Sequence, residues 1–193
     1  MIDDDAASRL HAVQARIAHA ERLAGRSSGA TTLIAVSKTH AADAIAPLIA
    51  AGQRAFGENR VQEAQAKWSG LREQTPDIAL HLVGQLQSNK ADDAVALFDA
   101  IHSLDRPSLV AALARAMNKA GRRPACFVQV DIGDEPQKGG CAIPALPALL
   151  AEARAAELPV AGLMCVPPFG IEAAPWFALL AKLARDHGLS GLS

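Results

Sequence analysis

The sequence predicts an α/β fold: a TIM-type (β/α) barrel with an extra N-terminal helix. Three observations predict it. Short apolar, β-branched runs alternate with helical stretches and are never doubled, which implies a parallel sheet with right-handed crossovers. A helical stretch precedes the first strand, and no linker or low-complexity segment divides the 193 residues, so they read as one domain, 1–193, with a substantial core. The first strand is followed by Ser37-Lys38-Thr39-His40, not by Gly-x-Gly-x-x-Gly, and no Gly-x-x-x-x-Gly-Lys-Ser/Thr occurs anywhere. That disfavours the doubly wound nucleotide-binding sheet, the other architecture that fits the alternation.

Taken in order, Ala6 to Ala24 carries Leu10, Val13, Ile17 and Leu23 on one stripe of a helix, which turn residues Gly25 to Gly29 end. Thr31 to Lys38 is the first strand, expected to be buried on both faces. Asp43 to Ala51 is helical despite Pro47, with Gly52 as its C-terminal cap. Arg54 to Asn59 is the second strand, and Val61 to Leu71 a helix with Trp68 and Leu71 on the stripe begun by Val61 and Ala64. His81 to Gln85 is the third strand, Asn89 to Phe98 a helix, and Ile101 to Leu104 the fourth strand. Pro107 opens a helix that runs to Ala120, a favoured place for proline. Cys126 to Asp131 is the fifth strand, followed by a glycine-bearing loop, Ile132 to Cys141, that contains Lys138. Pro144 to Glu157 is a helix, Val160 to Val166 the sixth strand, Ala173 to His187 a helix, and Leu189 to Ser193 a seventh strand.

Composition narrows the function. Net charge is −1, with Lys and Arg not gathered on any stretch, which argues against nucleic-acid binding. The longest apolar runs fall short of a membrane span, and the acidic start, Met1-Ile2-Asp3-Asp4-Asp5, does not read as a signal or transit peptide. Cys126, Cys141 and Cys165 show no metal-ligand spacing and read as free thiols of a cytoplasmic protein. The six histidines are scattered.

Lys38 is the chemical focus. It ends an apolar strand at the edge where parallel α/β folds bind ligands. A lysine there loses solvation and gains nucleophilicity, and neutral lysines form Schiff bases with aldehydes, pyridoxal phosphate included. The competing reading is a strand that simply reaches water. A cofactor-free, aldolase-type lysine remains a further alternative.

Four stretches at strand ends carry a resemblance: Ile34-Ala35-Val36-Ser37-Lys38-Thr39, Phe56-Gly57-Glu58-Asn59-Arg60-Val61-Gln62-Glu63, His81 to Lys90, and Gly162-Leu163-Met164-Cys165-Val166-Pro167. Together with Val128 to Gly140 they resemble the pyridoxal phosphate homeostasis proteins, single-domain relatives of the alanine-racemase barrel. The resemblance implies that Lys38 carries pyridoxal 5′-phosphate (PLP) as an internal aldimine, that Asn59 lies beside the cofactor ring and that Met164 walls the pocket. Asn59 also reads as a helix cap, His81 as a core histidine, Lys138 as a loop lysine over the pocket mouth, and Cys165 as inert filler. Racemases of this barrel class use a tyrosine from a second domain as their second base. The sequence contains no tyrosine, so the resemblance implies a cytoplasmic, monomeric PLP carrier that serves PLP-dependent apoenzymes and runs no reaction of its own.

The sequence departs from the resemblance at Leu189 to Ser193. Relatives continue there into a further helix and an eighth strand with an arginine near the ring, so the barrel is expected to be truncated after about seven strands. Ser193 is the remaining phosphate-contact candidate. The expected consequences are an open sheet edge, loss of about 1–3 kcal/mol for each unsatisfied buried group, aggregation and weak cofactor binding. A truncated, non-functional product is the corresponding alternative.

Overall fold

A computed structural model describes residues 6–193. The acidic stretch 1–5, read above as unlike a leader peptide, lies outside the described residues. The chain forms two compact units, one running to Glu58 and including Gln62–Ala79, the other made of Asn59–Val61 and Leu80–Ser193.

The first unit contains α1 (Ala6–Leu23), β1 (Ala35–Val36), α2 (Ala42–Ala50), β2 (Ala55–Glu58) and most of α3 (Val61–Gln74). β1 and β2 pair in parallel, Ala35 opposite Phe56 and Val36 opposite Gly57. Every residue of β2 is buried. Phe56 packs on Trp68 of α3 with ring centroids 4.9 Å apart; of the stripe that the helical period predicts, Val61, Ala64 and Trp68 are buried and Leu71 is half-buried. Pro47 lies inside α2. The helix closes in a Schellman arrangement: the Gln53 N–H donates to Leu48 O at 2.9 Å and the Gly52 N–H to Ile49 O at 3.0 Å. Gly52 has φ +95°, a conformation that a side chain would strain.

The second unit contains most of β3 (Ala79–Leu82), together with β4 (Ala100–Leu104), β5 (Ala125–Asp131), β6 (Cys141–Ala142), β7 (Val160–Met164) and β8 (Gly191–Leu192), with α4 (Ala91–Leu97), α5 (Pro107–Ala120), α6 (Leu146–Ala155) and α7 (Ala174–Asp186) between strands. All the strand pairs are parallel, in the order β3-β4-β5-β7-β8, with β6 on β5. Pro107 occupies the first turn of α5, as expected, and Leu109, Val110, Leu113, Ala116 and Met117 bury its inner face. Gly162 and Gly191 let β7 and β8 meet: a Cβ on Gly162 would lie 2.0 Å from Gly191 O.

Four expectations need correction. The first strand is not buried on both faces. Only Ala35 and Val36 pair, Val36 is 49% exposed, and β2 is the one strand β1 bonds within this unit. The α1 stripe is only partly covered. Leu10 is buried, whereas Leu23 is 77% exposed and Glu21 is buried in its stead, because the Glu21 carboxylate accepts the Gly29 and Thr31 N–H groups. The loop after β5 contains the short strand β6, which the glycines concealed. The helices expected from Asn89 and Pro144 begin as single 3-10 turns, Ser88–Lys90 and Ile143–Ala145.

Candidate functional site

Lys38 sits in a tight turn just past β1. The His40 N–H donates to Ser37 O at 3.2 Å and closes it. Thr39, the third residue of this turn, has φ +64°. A positive φ there belongs to a type II turn and favours glycine. For a β-branched residue it is an outlier of the kind found at functional sites. The Thr39 hydroxyl donates to Lys38 O at 2.6 Å, and the Thr39 N–H donates to Oε1 of Glu63 on α3. On the other side of Lys38, Lys67 of α3 donates to Ser37 O at 2.7 Å. The Ser37 N–H donates to Gly57 O at 2.8 Å.

Lys67 is held in turn. Its side chain is 7% exposed and lies 2.9 Å from Glu58 Oε1 and 3.2 Å from Glu63 Oε1. Glu58 is fully buried. Its Oε1 also accepts Ser37 Oγ at 2.7 Å and Trp68 Nε1 at 2.9 Å, while its Oε2 has no hydrogen-bond partner among the described residues. A buried carboxylate needs such pairing.

The lysines differ sharply from one another. Lys67, Lys90, Lys119, Lys138 and Lys182 each lie within ion-pair distance of an acid. Lys38 has neither an ion pair nor a side-chain hydrogen bond among the described residues, and it is exposed. The loss of solvation expected from the sequence is therefore not seen. What distinguishes Lys38 is an uncommitted amine on a firmly held backbone.

The other three expected site residues lie in the second unit. Asn59 directly follows β2 and is half-buried. Its backbone passes so close to Gly84 that a Cβ there would lie 2.3 Å from Asn59 O. Met164 is the last residue of β7 and is buried. Ser193 follows β8: its N–H donates to Leu163 O at 3.0 Å, and its carbonyl accepts the Cys165 N–H at 3.1 Å. The parallel pairing thus brings Met164 and Ser193 to neighbouring strand ends.

Ser193 has a partner that sequence reasoning missed. Its Oγ lies 2.8 Å from His102 Nδ1, and His102 Nε2 lies 2.9 Å from His81 Nδ1. His102 stacks on Phe127 with centroids 4.4 Å apart and planes 8° from parallel. Burial, with the His81 ring next, lowers His102 to about 4, and burial also lowers His81. Both rings are neutral near pH 7, and a neutral imidazole donates from one nitrogen and accepts at the other. With His81 donating to His102 and His102 to Ser193, the Ser193 hydroxyl proton is free to donate outward. His81 was expected as a hydrogen-bonded core histidine; it is hydrogen-bonded but only half-buried. Nothing in the sequence marked His102 as its partner except a histidine in a largely apolar strand.

Lys138 is tethered: it donates to Glu135 Oε2 at 2.6 Å and to Pro167 O at 2.9 Å, and Gln129 donates to Lys138 O at 2.8 Å. Cys165 is buried, and burial pushes its thiol up to about 11. Among the described residues no group of three or more His, Cys, Asp or Glu could hold a metal ion. No helix among them is long and apolar enough to cross a membrane.

Comparison with known proteins decides the family. The alanine racemase N-terminal domain family matches residues 9–185. The pyridoxal phosphate homeostasis protein of Deinococcus radiodurans is 41% identical over 187 residues, covering 94% of this chain and 86% of the relative. This chain belongs to the pyridoxal phosphate homeostasis proteins. The Pseudomonas aeruginosa member is 39% identical over 182 residues, 92% of this chain and 76% of its own length. PipY of Synechococcus elongatus PCC7942, solved with PLP bound, superposes with a TM-score of 0.80 at 38% identity, over 93% of this chain and 87% of PipY. The family shares the racemase-type (β/α) barrel fold that the alternation of strands and helices predicted.

Proposed function

We propose that this chain is a PLP-binding protein of intracellular PLP homeostasis that holds the cofactor on Lys38. The observation that carries the reading is the state of Lys38. Among the described residues it is the lysine without a counter-ion, and the turn that bears it is bonded on both flanks. PLP offers an aldehyde at one end and a phosphate dianion at the other. In this reading Lys38 would take the aldehyde and Ser193 the phosphate. The Lys38 amine is available to attack the aldehyde carbon, with the oxygen leaving as water. The Ser193 hydroxyl, backed by a neutral His102, is available to a phosphate oxygen. Asn59 would lie beside the ring and Met164 would wall the pocket. PipY, solved with PLP bound, supports the reading.

In this proposal the chain works as one domain, a monomer in the cytoplasm that supplies cofactor to PLP-dependent apoenzymes. It carries no dedicated reaction. Two-base racemase chemistry needs a second base, and the tyrosine that racemases use for it is absent from the sequence. Bound PLP would supply an electron sink. The protein's part is to hold the amine and the phosphate in place.

The test is spectroscopic. Protein mixed with PLP should turn yellow, and borohydride followed by peptide mass mapping should find the label on Lys38. Lys38→Ala should abolish both signals. A colourless protein whose Lys38 is trapped by borohydride with a sugar aldehyde, and not with PLP, would overturn the reading in favour of a cofactor-free lyase.

A further inference from the structure

Resting on Lys38 as the PLP-bonding amine, we propose that Glu63 of α3, supported by Lys67 and the buried Glu58, is a positioning residue that locks the Lys38 turn in its binding-competent form. The four residues Ser37–His40 could close a turn in two ways. Types I and II share the outer residues and differ chiefly by a flip of the central peptide, here the Lys38–Thr39 peptide. Type I would place Thr39 at negative φ and relieve it. The observed turn has Thr39 at φ +64°. A non-glycine residue persists there only when its surroundings hold it.

Glu63 supplies the hold. Its Oε1 accepts the Thr39 N–H, which the peptide flip would turn away. The Thr39 hydroxyl secures the carbonyl of the same peptide. Glu63 is itself aimed by Lys67 one helical turn further along α3, at 3.2 Å. Lys67 also fixes the preceding carbonyl of Ser37, and Glu58 neutralises Lys67 in the interior. Both peptide groups that flank the Lys38 Cα are thus tied to α3. Lys38 has a long, flexible stem and, among the described residues, no side-chain partner to order it, so a fixed Cα is what limits the positions its amine visits. Ordering the backbone in advance removes that cost from the binding step.

The experiment compares Glu63→Ala, Glu63→Gln, the double variant E63A/T39G and Lys38→Ala, each by PLP titration of the visible absorbance. Amide exchange at residue 39 in cofactor-free protein supplies a second readout. Glu63→Ala should bind PLP about tenfold more weakly, by loss of preorganisation, and should exchange the Thr39 amide faster while melting cooperatively. Glu63→Gln keeps the acceptor oxygen and should restore both readouts. Glycine adopts positive φ without strain, so E63A/T39G should regain part of the affinity lost in Glu63→Ala. Glu63→Ala with wild-type affinity and wild-type amide protection, beside a colourless Lys38→Ala, overturns the lock and leaves the Lys38 reading intact. Colour retained in Lys38→Ala overturns both. Glu63→Gln as weak as Glu63→Ala overturns the hydrogen-bonded lock in favour of a pure charge effect.

Discussion

The protein buries polar side chains in two ways. In the first unit Glu58 and Lys67 pair 2.9 Å apart, with Ser37 and Trp68 adding donors to the same carboxylate oxygen. In the second unit the buried His102 links the half-buried His81 to the exposed Ser193 in a hydrogen-bonded row, in which burial holds the imidazoles neutral. A group that titrates near neutrality escapes the cost of burial by shedding its proton. A carboxylate and an amine at opposite ends of the pH scale do better by finding each other. The two networks should therefore respond oppositely to perturbation: the first to loss of a partner, the second to acid.

The largest expected effect breaks the first network. Lys67→Met strands the Glu58 carboxylate and should cost about 3–5 kcal/mol in urea unfolding. E58Q/K67M should recover a good part of that loss, since it leaves no buried charge without a counter-ion. A double variant less stable than Lys67→Met would show that the Glu58 charge is not what destabilises.

Acid tests the second network. His102 has a folded value of about 4 against an ordinary 6.5. Between those values the unfolded chain binds a proton that the folded chain refuses. Stability should thus be full above pH 6.5, fall as the pH drops, and be lower by up to about 3 kcal/mol below pH 4. Denaturation at pH 7.5 and 4.5 measures it. His102→Asn, which does not titrate, should show a shallower slope; equal slopes would remove His102 as the cause.

Gly162→Ala sharpens the picture at the Ser193 end. The new methyl would meet Gly191 O, push β8 off β7 and draw Ser193 from His102. The expected cost is about 1–3 kcal/mol, read as a lowered melting temperature. The smallest effect concerns the thiols, which follow the histidine pattern. Burial raises Cys126 to about 12 and Cys141 and Cys165 to about 11. All three should resist Ellman's reagent at pH 8 in the folded protein and react once urea unfolds it. Rapid labelling of the native chain would show that one of them is reachable as thiolate.

The parts legible in the sequence were those set by neighbours along the chain. The apolar run ending at Lys38, the glycine at position 52 and the proline at 107 each announced their roles, because strand ends and helix caps are decided within a few residues. Asn59, Met164 and Ser193 became site candidates only through resemblance. Glu58 and Lys67 were hidden, since charged residues default to the surface and no local pattern pairs position 58 with 67 in a core. Val36 misled in the opposite sense: an apolar residue in a strand reads as buried, yet half of it is exposed.

By itself, then, the sequence determined the order of strands and helices apart from β6, and Lys38 as the residue to examine, because periodicity and chain-local turn chemistry carry that information; the family entered through the resemblance of its strand-end motifs. Only the tertiary structure decided what makes Lys38 distinct. Among the described residues its amine has no ion pair while the other lysines are paired, and its backbone is tied to a helix 25 to 29 residues further along the chain, at Glu63 and Lys67. Such contacts depend on where β1 and α3 meet in space, and that is fixed by the packing of Phe56 and Trp68, not by spacing in the chain.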